Sequence, residues 1–347
     1  MGISIPYILR ASFSSNSFLE NPAELSIMPP SPLRLAMIGS TPGNGHPYSW
    51  SAMFNGYDRE AMTNECPFAG IPDYLNKEPV ETLQIPDAQV THICCVGDGG
   101  FTAEHVAKCS LIPHVVENPT DVIGEVDAVV IATDIGSEHV ERARPFVEAD
   151  IPVFVDKPLA DNSPDLKTFM DWVADGKRIM SSSSMRYTKE FMPYRYSTNE
   201  LGDLRFVSIT TAKKWETYGI HALEAIYPIL GPGFLTAQNT GTKDRNVVHL
   251  THECGADIVV VASADMFGGF GCLQLCGTKG SRAVSSGDSF YAFKTQLEAF
   301  VQYLRTGKYP FPFSETVELM QLGIAGIQSR DEGGRRISLS EIQNQLN

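Results

Sequence analysis

The chain has 347 residues, of which 43% are hydrophobic and 20% charged, and its formal net charge is −14. This length favours two domains, and this composition is typical of a packed globular protein. The acidic charge disfavours partners such as nucleic acid or an anionic membrane surface, and the longest apolar runs are too short to cross a bilayer. Seven cysteines without a framework spacing are expected to be reduced thiols, which predicts a cytoplasmic protein.

Strand and helix patterns alternate over 31–185, after a segment rich in Ser, Pro and Asn, 1–30, that we expect to be a flexible arm. Apolar runs predict five strands, at Leu33–Ile38, Val90–Val96, Asp127–Thr133, Ile151–Val155 and Arg178–Ser182. Helical patterns stand between them, and the last of these is predicted to begin with Ser163 as its N-cap. Strands joined by helices predict an α/β fold, a Rossmann-type doubly wound parallel sheet.

The pattern changes over 186–347, where strand-like runs follow one another with turn signals between them. These runs are Leu204–Thr211, Leu235–Gly241, Asn246–Thr251, Asp257–Ala264 and Gly271–Gly277. Helices are predicted at His221–Leu230, Phe290–Arg305 and Ser314–Ser329. The second half is therefore predicted to be an α+β domain with a large open, mainly antiparallel sheet.

The turn after the first strand contains three glycines, Gly39, Gly43 and Gly45, ahead of a helix. Glycines at this place let backbone amides approach the pyrophosphate of a dinucleotide. The spacing differs from G-x-G-x-x-G, so an ordinary strand-to-helix loop is an equal alternative. Asp98 follows the second strand and could bind an adenosine ribose, or it could simply belong to a turn. Since no arginine follows it, NAD is favoured as cofactor, with NADP as the alternative.

The segment Val153–Pro158 places a lysine at the carboxyl end of a buried strand, where the ligand crevice of such a sheet opens. The ammonium of Lys157 could donate a hydrogen bond to a substrate oxygen, and burial could lower its pKa enough for proton transfer. The neighbouring Asp156 could stabilise its charge. Lys157 is therefore the first candidate for a catalytic residue.

Three segments, taken together, resemble one known family. The sequence Asp156-Lys157-Pro158 is similar to the Glu-Lys-Pro motif of the glucose–fructose oxidoreductase, inositol dehydrogenase and MocA-like (Gfo/Idh/MocA) family, with Asp in place of Glu. The run ending at Thr133, with His139 six residues later, resembles the strand-and-histidine element beside the cofactor of that family. Residues 329–339 resemble its usual ending. The resemblance implies that Thr133, His139, Asp156 and Lys157 lie beside the cofactor.

The resemblance also implies a function: hydride transfer between NAD(P) and a sugar, inositol or related polyol, in a homodimer or homotetramer. In the family, the lysine contacts the reacting hydroxyl and an Asp-x-x-x-His element supplies acid–base groups. The matching positions here are Thr217 and His221, so His221 is predicted as the base, while Thr217 cannot carry the charge of the family's Asp. Three residues are predicted to contact substrate: Thr217, Tyr218 and Arg186, although Arg186 could instead serve a structural ion pair.

Two other functions would suit the same fold: an NAD-assisted elimination or hydrolysis of a glycoside, and a non-catalytic, cofactor-sensing role. A metal site is not expected. His249 and His252 are close in sequence, but residues three apart on a strand point to opposite faces.

Overall fold

The computed structural model describes residues 31–266 and 268–347. The predicted arm, 1–30, lies outside the described residues. The first sheet has six parallel strands in the order β3-β2-β1-β4-β5-β6. These strands are β1 (Leu33–Ile38), β2 (Ala88–Cys94), β3 (His114–Val115), β4 (Ala128–Ile131), β5 (Val153–Val155) and β6 (Ile179–Met180). The predicted Rossmann-type sheet is confirmed, and β3 is a short addition at its edge.

Helices join these strands because each parallel neighbour requires a crossover. They are α1 (His46–Asn55), α2 (Arg59–Glu65), α3 (Gly70–Leu75), α4 (Val80–Leu83), α5 (Ala103–Ser110), α6 (His139–Glu148) and α7 (Ser163–Ala174). The prediction that Ser163 caps α7 is wrong. The N-cap is Asn162, whose side-chain oxygen accepts from the amide of Asp165 at 2.9 Å, while the hydroxyl of Ser163 donates to Gln345.

The second sheet has seven strands in the order β12-β11-β7-β10-β9-β8-β13. They are β7 (Leu204–Ala212), β8 (Phe234–Asn239), β9 (Arg245–His252), β10 (Asp257–Ser263), β11 (Cys272–Gly277), β12 (Ser281–Ser285) and β13 (Ile337–Ser338). All of its pairings are antiparallel except that of β7 with β10. The prediction of a mainly antiparallel sheet is confirmed. Its helices are α8 (Met192–Tyr196), α9 (Ile220–Leu230), α10 (Ser289–Thr306), α11 (Phe313–Asp331) and α12 (Leu339–Leu346).

Helix α10 returns from the second half of the chain to cover the first sheet. The rings of Phe300 on α10 and Phe154 on β5 lie 5.3 Å apart, and both side chains are fully buried. Phe290 and Leu297 of the same helix belong to the core that includes β1 and β2. Residues 32–347 consequently form one compact unit.

The carboxyl ends of β1, β4 and β5 meet at one edge of the first sheet, because parallel strands share a direction. Strand order reverses between β1 and β4, and ligands of open α/β sheets bind at such a point. The second half of the chain faces this edge with a π-helical turn, Trp215–Gly219, that continues into α9.

Candidate active site

Lys157 lies directly after β5, and its side chain is almost completely buried. Its Nζ is 3.7 Å from Oδ2 of Asp134, which follows β4, and 4.9 Å from the centre of the Tyr218 ring. Burial disfavours the ammonium, but the charges of Asp156 and Asp134 outweigh it, so that the pKa of Lys157 is raised. The expectation of a lowered pKa for Lys157 is therefore wrong, although burial by itself acts in that direction. Lys157 is a hydrogen-bond donor that keeps its proton.

Asp156 is fully buried and accepts three hydrogen bonds. Its Oδ2 accepts from Nδ2 of Asn44 at 3.1 Å and from Nδ1 of His46 at 2.6 Å, while its Oδ1 accepts from the amide of Lys157 at 2.7 Å. Burial alone would raise the pKa of Asp156, but the charges of His46 and Lys157 lower it. The carboxylate therefore joins the loop after β1 to the loop after β5, and it has no exposed surface for a ligand.

A cavity of about 310 Å³ opens beside these groups. His46 and Tyr218 border it, and so does His221, which faces Ser183 Oγ with Nδ1 at 2.7 Å. Burial, the charge of Lys157 and other nearby cations hold the pKa of His221 well below its usual range, so its imidazole is neutral. Three elements far apart in sequence thus bring an ammonium and two imidazoles to one place.

The three residues predicted to contact substrate occupy different positions around this cavity. The Tyr218 ring borders the cavity, lies with its centre 4.9 Å from Nζ of Lys157, and makes an edge-to-face contact with His221 at 4.7 Å. Thr217 belongs to the same π-helical turn but is not among the residues that border the cavity. The buried guanidinium of Arg186 donates to Glu224 and, at 2.7 Å, to Glu315. Of the two roles that the sequence left open for Arg186, the structure shows the ion pair.

The loop after β1 combines a left-handed glycine with buried hydroxyls that have no partner in the protein. Gly39 has φ +92°, and a Cβ atom there would stand 2.7 Å from Cγ2 of Thr133. The hydroxyls of Thr41 and Thr133 are buried at this edge without a hydrogen-bond partner. Unpaired buried hydroxyls are costly unless a ligand satisfies them. The residues therefore fit the pyrophosphate and ribose of NAD.

The other predicted cofactor residues occupy distinct places. Gly43 has φ +78°, and its carbonyl accepts from Lys213 at 3.3 Å. Gly45 packs against α3, since a Cβ there would lie 2.5 Å from Ile71. Asp98 is exposed in the loop after β2, at the same edge of the sheet.

His139 is fully buried, with Nε2 2.9 Å from the Thr133 carbonyl and Nδ1 2.9 Å from that of Pro158. Because none of its surface is exposed, His139 cannot touch a cofactor in this structure, and the expectation of direct binding is not supported. The histidine instead joins the segments after β4 and β5, and so positions Thr133 and Lys157.

The burial of His139 and His221 should make the protein sensitive to mild acid. Burial lowers the pKa of both His139 and His221, so below about pH 6.5 the unfolded chain binds protons that the folded chain excludes. The contribution of these two histidines to the free energy of unfolding is complete above about pH 6.5. Below that pH the free energy of unfolding falls by up to about 1.4 kcal/mol per pH unit for each histidine. Urea unfolding at several pH values should show a smaller fall for His221→Asn; equal slopes for the variant and the wild type would contradict this assignment.

Some site residues were not predicted from the sequence. Asn44, His46, Asp134 and Ser183 acquire their roles only because separate loops meet. The position of His46, directly after the glycine-containing turn and before Pro47, was the one local signal that could have identified it.

No cluster of three or more His, Cys, Asp or Glu side chains within 31–266 and 268–347 is arranged to hold a metal ion. His249 bonds to Asp257 at 2.7 Å, and His252 to backbone carbonyls of Gly231 and Pro232. Nor does any helix of the described residues combine the length and apolarity needed to cross a membrane.

Comparisons with known proteins agree with this geometry. Residues 69–183 match the family model GFO_IDH_MocA, described as an oxidoreductase family with an NAD-binding Rossmann fold. The match runs from α3 past β6 and begins after the glycine-containing turn. A comparison with curated proteins found no match.

Solved structures share the fold along nearly the whole chain. Myo-inositol dehydrogenase from Lactobacillus casei, in complex with NAD(H) and myo-inositol, has a TM-score of 0.68 and 15% identity, over 89% of this chain and 97% of that one. Myo-inositol dehydrogenase from Corynebacterium glutamicum has a TM-score of 0.65 and 20% identity, over 89% and 99%. An oxidoreductase from Agrobacterium radiobacter, with NAD+, L-tartaric acid and magnesium, has a TM-score of 0.67 and 14% identity, over 90% and 100%.

The strand order of the first sheet and the family match over 69–183 lead to one conclusion: residues 69–183 are similar to the Gfo/Idh/MocA oxidoreductase family, and the first sheet is an NAD-binding Rossmann fold.

Proposed function

We propose that this protein interconverts a secondary alcohol and a ketone on a sugar, an inositol or a related cyclic polyol, with NAD as the hydride carrier. The observation that carries the proposal is the buried Lys157 at the tip of β5, 3.7 Å from Asp134 and next to a cavity bordered by imidazoles. Two of the similar structures are dehydrogenases of myo-inositol. NADP is the alternative cofactor, and Asp98, as a ribose ligand, favours NAD.

The loop after β1, with Gly39 and Gly43, would hold the pyrophosphate, while Thr133 would bind a ribose or the nicotinamide carboxamide. The nicotinamide supplies the chemistry that side chains lack, because it accepts a hydride from the carbon that bears the hydroxyl. The chain provides orientation and electrostatics.

The ammonium of Lys157 donates a hydrogen bond to the reacting oxygen. This bond strengthens as the oxygen gains negative charge, so it stabilises the transition state more than the bound alcohol. A neutral imidazole on the cavity wall takes the hydroxyl proton, and the sequence predicts His221 for this role. Asp134 keeps Lys157 charged, and the Tyr218 ring closes the site on one side.

Purified protein with NAD+ and a panel of myo-inositol, scyllo-inositol and free sugars tests the proposal. We expect NADH to accumulate in proportion to the polyol consumed, as followed by absorbance. Release of nitrophenol from nitrophenyl glycosides without net NADH would instead indicate NAD-assisted elimination. Native mass spectrometry that finds no retained or added dinucleotide would rule out both reactions.

We further propose a cytoplasmic homo-oligomer. The composition and the unpaired cysteines support the location. The second sheet supports self-association, because its outward face presents partly exposed apolar side chains, among them Leu235, Val247, Val259 and Val261.

A further inference from the structure

Two imidazoles, His46 and His221, border the same cavity, one from each half of the chain. The oxidation of an alcohol releases one proton and so requires one acceptor. The two histidines differ in the hydrogen-bond partner of Nδ1. That partner determines which ring nitrogen carries the hydrogen and which one is free to accept a proton.

The tautomer of His46 is set by a carboxylate. Its Nδ1 lies 2.6 Å from Oδ2 of Asp156, a buried carboxylate that already accepts from Asn44 and from the Lys157 amide, and a carboxylate can only accept a hydrogen bond. Nδ1 must therefore carry the hydrogen, which leaves the lone pair on Nε2. The ring is fixed by stacking on Trp50, at 4.1 Å and 14°, and by the edge of Phe293 at 5.2 Å. Asp156 is itself fixed by Asn44 and by the Lys157 amide.

His221 has no such partner. Its Nδ1 faces the hydroxyl of Ser183, which can donate or accept, so neither tautomer is imposed. The hydroxyl also accepts from the amide of Met185 at 3.0 Å. Burial and the nearby cations Lys157 and Lys213 oppose an imidazolium at this position and lower the pKa of His221. Its ring is suited to hydrogen bonding with substrate and poorly suited to taking a proton.

We propose that His46 is the catalytic base of this enzyme and that Asp156 is its positioning residue, with His221 as a hydrogen-bonding contact for substrate. This inference rests on the proposed function and replaces the assignment of the base to His221. Nε2 of His46 would take the proton as the hydroxyl O–H bond breaks. Bound NAD+ would supply the oxidant, accepting the electron pair of the adjacent C–H bond as hydride while the C=O bond forms. Solvent then receives the proton, while Lys157 remains protonated throughout.

The charged groups around His46 define the expected pH dependence. Oδ2 of Asp156 lies 2.6 Å from Nδ1 of His46, and Lys157 and His221 lie in the same cluster. Asp288, across the cavity wall, is paired with Lys189. The rate of polyol oxidation should therefore fall on the acid side as the base becomes protonated.

The kinetic test uses NAD+ with myo-inositol, scyllo-inositol and D-glucose. We expect His46→Gln to lower kcat about 10³-fold and to remove the acid limb of the pH profile. We expect a comparable loss for Asp156→Asn, because an amide donates to Nδ1 and moves the hydrogen to Nε2. His221→Gln should chiefly raise KM and lower kcat less than about tenfold, with the acid limb retained. The opposite result for the two histidines would overturn the proposal.

A second measurement needs no substrate. Two-bond ¹H–¹⁵N correlation spectra of the full chain, with His46→Gln for assignment, report the tautomer of each histidine. We expect the hydrogen of His46 on Nδ1 in the wild type and on Nε2 in Asp156→Asn. If wild-type His46 carries its hydrogen on Nε2, the proposal is wrong, even if the kinetic results agree with it. If no polyol is oxidised, the proposed function fails, and the spectra still decide the tautomer.

Discussion

Replacing Lys157 with methionine will lower kcat/KM for polyol oxidation by about three orders of magnitude. Methionine keeps much of the side chain's length and its apolar stem but removes the ammonium that stabilises the developing charge on oxygen. The exposed Lys214 offers a matched control, and Lys214→Met should change kcat/KM less than about threefold.

A loss of activity at Lys157 could also come from misfolding, since the change leaves Asp134 and Asp156 without their buried cation. Circular dichroism and the affinity for NADH separate these causes. We expect a folded variant that binds NADH within about threefold of the wild type. If Lys157→Met turned over every accepted polyol at the wild-type rate, the assignment of Lys157 would be wrong.

Replacing Glu224 with alanine will lower the free energy of unfolding by about 3 to 5 kcal/mol. Glu224 is buried on α9 and receives hydrogen bonds from the Arg186 guanidinium and from the Ser183 amide. Its loss leaves a buried cation with only Glu315, and a buried amide with no partner. Leaving charged and polar groups unpaired in a protein interior is what makes the change costly.

The control for this change is an exposed ion pair, that of Arg282 with Glu200 at 3.1 Å. Glu200→Ala should cost less than about 1 kcal/mol, because solvent screens the pair. Urea unfolding at one fixed pH measures both variants. Equal losses would show that the Arg186–Glu224 pair contributes no more than a surface contact. Since Ser183 also holds His221, Glu224→Ala should raise KM for polyol as well.

Local patterns were sufficient for much of the fold. Strand β1 has the predicted bounds, and the apolar runs at 128–131 and 153–155 are strands within the predicted ranges. Burial on both faces makes such strands continuously apolar, which is why they stand out in a sequence. The helices α2, α3 and α4 were not predicted, because they are short and lack a clear apolar period.

The sequence by itself determined the parallel first sheet, the change to a mainly antiparallel second half and the position of Lys157 at a strand tip, since these follow from local periodicity and chain order. Tertiary structure alone decided that α10 covers the first sheet and that Arg186 is occupied by Glu224 and Glu315. It likewise placed Asp134 3.7 Å from the Lys157 ammonium and Asp156 2.6 Å from Nδ1 of His46. The reason is physical: a pKa or a tautomer depends on charges and hydrogen bonds within a few ångströms, and the groups that supply them, such as Asp134 and Asp156, come from loops brought together only by folding.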